Sequence, residues 1–84
     1  MNIRELMQGK TFKELVELIN NKQNGVNAEE VAALYAVKMV KETCDSDKQA
    51  GFISLYLGLL IEDGAVFDGV LAYKIARNEL LNKG

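Results

Sequence analysis

The side chains that could carry out catalysis are few. Nucleophilic catalysis by Ser or Cys normally relies on a nearby His as the base, and the 84-residue chain contains no His. Its single thiol, Cys44, stands beside Asp45 and after a predicted helix end, and negative surroundings disfavour the reactive thiolate. We therefore predict that Cys44 is inert, that the chain has no catalytic residues and that it is not an enzyme.

Metal and cofactor sites are also unsupported by the residue types. One Cys and no His cannot supply the four ligands of a structural zinc site. A calcium loop beginning at Asp45 would require Gly at position 50 and Glu at position 56, where Ala50 and Tyr56 stand. The glycines match neither dinucleotide-binding nor P-loop spacing. We expect no metal and no cofactor.

Paired carboxylates offer the remaining possibility of acid–base chemistry. Glu62 and Asp63 are adjacent in sequence, with Asp68 nearby. Adjacent residues on a helix do not face each other, and acidic side chains are usually exposed. These residues are interpreted as exposed polar residues at a helix end.

The composition is that of one small globular domain spanning residues 1–84. Hydrophobic residues make up 49% and charged residues 26% of the chain, with a formal net charge of −2. The longest apolar run, Ala50 to Ile61, is shorter than the roughly 20 residues of a membrane span. The start of the chain lacks the apolar stretch of a signal peptide, and a lone Cys fits a reducing compartment. We expect a soluble, cytoplasmic protein that does not contact membranes.

Helical periodicity predicts the elements that must position any site. Capping patterns begin helices at Thr11 and Asn27, and Asp47 or Ser46 is expected to cap a third. The predicted helices cover about 12–22, 28–43, 48–62 and 65–82, after a short segment from Asn2 to Gly9. The fold is predicted to be all-α: a small helical bundle of three main helices plus a short N-terminal helix, with helices three and four forming an antiparallel hairpin.

The third predicted helix is apolar almost all round, which is typical of a helix in the middle of a fold. Its remaining face carries only Gly51, Ser54 and Gly58. Each glycine costs about 1 kcal/mol in helix propensity relative to Ala. We therefore expect another helix to approach closely along this face.

Surplus apolar surface is the strongest functional signal. Helices two, three and four each carry more than one apolar face, and a bundle of this size can bury one broad face of each outer helix. The fourth helix is terminal, so it can leave one side uncovered. The predicted partner-binding residues are Phe67, Leu71 and Ile75, flanked by Lys74 and Asn78. The predicted function is a small protein–protein interaction module, a regulator or inhibitor that occupies a partner surface through a hydrophobic helix face. The partner is another protein or a second copy of the chain, with a dimer expected.

A dimeric helix-turn-helix-like DNA-binding regulator is the alternative function. The first two long helices have roughly the rhythm of that motif, and a dimer could combine four basic residues, Arg4, Lys10, Lys13 and Lys22. However, Glu29 and Glu30 occupy the first turn of the helix that would read DNA, where they repel phosphate. Nucleic acid is therefore not the expected partner.

Overall fold

The computed structural model describes residues 9–21 and 27–82, and this part of the chain consists of four helices and their connections. The helices are α1 (Phe12–Asn21), α2 (Ala28–Thr43), α3 (Gln49–Glu62) and α4 (Gly69–Leu81). They form a small bundle in which α3 and α4 are a hairpin, as predicted. The segment predicted between Asn2 and Gly9 lies outside the described residues, apart from Gly9 itself.

Two helix starts follow the capping patterns of the sequence. Before α1, Thr11 Oγ1 accepts from the Glu14 N–H at 3.2 Å, and Glu14 Oε1 accepts from the Thr11 N–H at 2.9 Å. Before α2, Asn27 Oδ1 accepts from the Glu30 N–H at 3.0 Å. Each bond satisfies a backbone donor that the helix itself leaves unpaired.

The other two helix starts differ from the prediction. Lys48 occupies the N-cap position of α3 and makes no side-chain capping bond, so neither Ser46 nor Asp47 caps this helix. Helix α4 begins at Gly69 rather than Ala65, because Asp68 caps it by accepting from the N–H groups of residues 70 and 71 at 3.1 and 3.2 Å. Residues 65–67 therefore belong to the connection and not to the helix.

Long-range hydrogen bonds fix the connection between α3 and α4. The Asn20 side chain at the end of α1 donates to the Gly64 carbonyl at 3.0 Å and accepts from the Val66 N–H at 2.8 Å. Glu29 Oε2, on the first turn of α2, accepts from the Asp68 N–H at 2.8 Å. Gly64 has φ +100°, a conformation that favours glycine. The hairpin turn is thus tied to both preceding helices.

Helix α2 lies at the centre of the bundle and packs against each of the other three helices. The expectation that α3 would be central was wrong. The reason is side-chain size: α2 buries small residues around most of its circumference, which lets several helices approach it closely. Its buried residues are Ala28, Val31, Ala32, Ala33, Ala36, Val37 and Val40. The most extensive contact is with α4, which buries Ala72 and Ala76.

Candidate interaction surfaces

The polar and ionisable groups of the described residues do not assemble a reactive centre. Cys44 is a free, half-buried thiol whose Sγ lies 3.6 Å from Thr43 Oγ1. Over residues 9–21 and 27–82, no three His, Cys, Asp or Glu side chains are grouped so that they could hold a metal ion. The helices in the same ranges are all too short or too polar to cross a bilayer. The remaining candidates for a functional site are apolar surfaces.

The predicted partner-binding residues are only partly brought together. Phe67 lies in the connection before α4, and both Phe67 and Ile75 are half-buried against the hydrophobic core. Leu71 is 44% exposed, and Lys74 and Asn78 are exposed beside it on α4. Two of the three apolar side chains therefore contribute to packing, while Leu71 remains available on the surface.

The exposed side of α4, here called the α4 strip, shares three of its five residues with the prediction. Val70 and Leu81 are 68% and 75% exposed, more than Leu71. The strip consists of Val70, Leu71, Lys74, Asn78 and Leu81. The sequence analysis did not select Val70 and Leu81, because it placed the uncovered side of this helix at Phe67, Leu71 and Ile75. In the structure α4 buries Ala72 and Ala76, and Val70, Leu71 and Leu81 are left on the outer side.

A second apolar surface, here called the α3 face, lies on the outer side of α3. Phe52, Leu55 and Leu59 are 41%, 52% and 40% exposed. The small residues of this helix lie among them, and the face comprises Gly51, Phe52, Ser54, Leu55, Gly58 and Leu59. A Cβ atom added at Gly51 or Gly58 would meet nothing within 4 Å. The close helix approach expected at these glycines is thus not made by any described part of the chain.

The α3 face is also free of charge. No Asp, Glu, Lys or Arg occurs between Gln49 and Ile61. Soluble monomers seldom expose a continuous apolar helix face without charged residues among the apolar ones, and such patches mark interaction sites. The α3 face therefore has the character of a buried surface although nothing in the described chain covers it.

An aromatic row borders the α3 face. The rings of Phe12 and Tyr35 lie 5.7 Å apart, and Tyr35 and Tyr56 are in an edge-on contact at 6.3 Å. The Tyr56 hydroxyl is 2.8 Å from Thr43 Oγ1. Burial, and then the neighbouring Tyr56, raise the pKa of Tyr35 above its ordinary value. A shallow open hollow beside this row is lined by Phe12, Tyr35, Leu59, Glu62 and Asp63.

The geometry does not favour the DNA-binding alternative. Glu29, at the start of α2, is half-buried and bonded to the Asp68 N–H, while Glu30 is exposed. Of the four basic residues considered, Lys10 and Lys13 are exposed, and Arg4 and Lys22 lie outside the described residues. The first turn of α2 is thus acidic and packed against the hairpin turn.

Comparison of the chain with models of protein families, with curated proteins and with solved structures found no match. The two exposed apolar surfaces are therefore the features of the molecule that point to a function. The α4 strip has polar residues among its apolar ones, whereas the α3 face has none that is charged. This difference in character suggests different occupants.

Proposed function

We propose that this chain is a protein-binding module, a regulator or inhibitor that covers part of another protein's surface with the α4 strip. The observation that carries the proposal is the exposure of Val70 and Leu81, at 68% and 75%, on the outer side of the last helix. Val66, just before that helix, is 71% exposed. Large apolar side chains left in water at these levels gain free energy when a partner covers them.

The composition of the α4 strip fits a transient interface. Such interfaces have an apolar centre and a polar rim. Val70, Leu71 and Leu81 supply the apolar anchors, and Lys74 and Asn78 supply groups that can pair with a partner's carboxylates and carbonyls. The proposed role is binding and not catalysis, in the cytoplasm, where the lone free thiol of Cys44 stays reduced.

Capture of the tagged protein from lysate of its native cell, with variants of the strip, tests this function. Val70→Asp and Leu71→Asp place a charge in the apolar centre. Lys41→Asp, at an exposed position of α2, is the control that introduces the same residue elsewhere. We expect a stoichiometric partner that is retained by the control and lost with both strip variants. Circular dichroism of each variant establishes that the helices remain formed.

Two results would overturn the proposal. One is the absence of any stoichiometric partner for the unmodified chain. The other is a partner that binds both strip variants as well as it binds the unmodified chain, which would place its binding site elsewhere.

A further inference from the structure

We infer that the α3 face pairs with the α3 face of a second copy of the chain, so that the protein is a homodimer with antiparallel α3 helices and a twofold axis at Leu55. This inference uses a different surface from the proposed function and does not depend on it. A twofold dimer requires a surface that is complementary to itself. The α3 face meets this requirement in shape and in charge.

The complementarity in shape comes from a row of large residues beside a row of small ones. At 3.6 residues per turn, Phe52 and Leu59 lie on one side of Leu55, and Gly51 and Gly58 lie on the other side. When two copies are antiparallel with Leu55 on the axis, Phe52 of one copy meets Leu59 of the other, and Gly51 meets Gly58. The large side chains then pack together on one side of the axis, while the glycines let the two backbones approach closely on the other side.

The two glycines have no role within the described chain that would explain them. Neither Gly51 nor Gly58 has a positive φ, and a Cβ atom at either would meet only open space. Small residues on an outer helix face do, however, allow a second helix to approach closely. Pairing of two α3 faces gives both glycines a contact to make.

The charges at the two ends of the face support a second copy and an antiparallel arrangement. Lys48 and Glu62 are exposed and stand at equal distances in sequence on either side of Leu55. Antiparallel pairing brings Lys48 of one copy beside Glu62 of the other at both ends, whereas parallel pairing would oppose like charges. Asp47 and Asp63 lie next to these positions, so the ionic contacts set the direction of pairing more than its strength.

The size of the face sets the strength of the dimer. Its three large side chains, Phe52, Leu55 and Leu59, are each only about half exposed, so the face is small. Stable interfaces bury about 800 Å² per partner. The dimer is therefore expected to be weaker than one with an interface of standard size.

Sedimentation equilibrium of the full chain over micromolar to millimolar concentrations is the test. The unmodified chain is expected to shift from its monomer mass of 9.3 kDa to twice that mass across this range. Leu55→Glu places two like charges on the axis and is expected to weaken the dimer about 100-fold. Gly58→Leu fills the space in which the two backbones approach and is expected to weaken the dimer about tenfold or more, whereas a Cβ atom at this position meets nothing within 4 Å in the described residues of one copy.

A charge exchange tests the antiparallel direction. Lys48→Glu alone is expected to weaken the dimer about fivefold. The double variant Lys48→Glu with Glu62→Lys is expected to restore it, because the opposite charges meet again. Failure of the double variant to recover would exclude this arrangement.

A control separates this inference from the proposed function. Val70→Asp, on the α4 strip, is expected to leave dimerisation unchanged. A chain that stays monomeric at millimolar concentration would overturn the inference. So would a dimer that persists in both Leu55→Glu and Gly58→Leu, and its loss with Val70→Asp would assign the interface to the α4 strip instead.

Discussion

The side chain of Asn20 fixes the position of Val66 by a hydrogen bond to its backbone. Asn20 Oδ1 accepts from the Val66 N–H at 2.8 Å, and its Nδ2 donates to the Gly64 carbonyl at 3.0 Å. One amide side chain at the end of α1 thus satisfies a donor and an acceptor in the turn that joins α3 to α4. The turn is positioned by a residue more than forty positions earlier in the chain.

Removing the two hydrogen bonds of the Asn20 side chain is expected to destabilise the fold. Asn20→Ala loses both hydrogen bonds and should lower the free energy of unfolding by about 1–2 kcal/mol. Asn20→Asp keeps the acceptor for Val66 but not the donor to Gly64. Its free energy of unfolding should lie between that of the unmodified chain and that of Asn20→Ala. Urea denaturation followed by circular dichroism measures the change. Asn21→Ala, at the exposed neighbouring position, is the control and should change stability by less than about 0.5 kcal/mol. Equal effects at positions 20 and 21 would contradict the assignment.

The Asp68 cap is expected to determine where α4 begins. Asp68→Ala removes the acceptor for the Val70 and Leu71 N–H groups and should cost about 1 kcal/mol. In a domain of this size that loss lowers the midpoint of thermal unfolding by about 4–8 °C. Asp68→Asn, which keeps a capping oxygen, should retain most of the stability. An unchanged midpoint in Asp68→Ala would show that the long-range bonds alone fix the turn.

Tyr35 is expected to make stability depend on pH at the alkaline end. Its pKa is raised above the ordinary value of 10.0 in the folded state by burial and by Tyr56. The folded chain therefore binds this proton more tightly than the unfolded chain. The contribution is complete below pH 10 and is lost as the pH rises through the folded pKa.

Urea denaturation at a series of pH values from about 8 to 11 measures this dependence. Tyr35→Phe removes the contribution that the Tyr35 hydroxyl makes to the pH dependence of stability. The free energy of unfolding should therefore fall less steeply with rising pH than in the unmodified chain. Absorbance titration of the unmodified chain and of Tyr35→Phe should differ by the loss of one component, whose pKa is raised above 10.0. Identical slopes for the two proteins would refute the assignment.

The contact between α2 and α4 is expected to tolerate no added volume. Ala72 is fully buried on the side of α4 that packs inward. Ala72→Leu adds three carbons where the neighbouring helix leaves no room, and should cost about 1–3 kcal/mol or more. Asn78→Leu, on the exposed side of the same helix, introduces the same residue and should change stability by less than about 0.5 kcal/mol. Guanidinium denaturation of the pair separates overpacking from helix propensity.

The parts of the fold that sequence analysis predicted correctly depend on neighbouring residues. The capping bonds between Thr11 and Glu14 and between Asn27 and Glu30 span three positions, so the sequence pattern contains all the information they need. The predicted start of α4 was wrong because the apolar periodicity of this helix continues toward the N-terminus through Phe67, which lies before its first residue. The bonds from Asn20 and Glu29 that fix this segment join positions distant in sequence, which a pattern does not show.

The arrangement of the helices also could not be predicted from the hydrophobic pattern of the sequence. Hydrophobicity indicated α3 as the central helix, yet the number of helices that can surround an element depends on how small its side chains are. Ala32 and Ala36 of α2 are fully buried, and their size lets α2 occupy the centre. The candidate surfaces differ from the prediction for a related reason: Phe67 and Ile75 pack inward, while Val70 and Leu81 remain exposed.

The uncharged stretch from Gln49 to Ile61 has a consequence for the chain before it folds. It contains aromatic and branched residues, no proline and no charge, the composition of segments that associate into intermolecular β-structure when unfolded. The charges on either side, Asp47 and Lys48 before it and Glu62 and Asp63 after it, act as gatekeepers against that reaction. Aggregation of nascent or heated chains should therefore begin in α3.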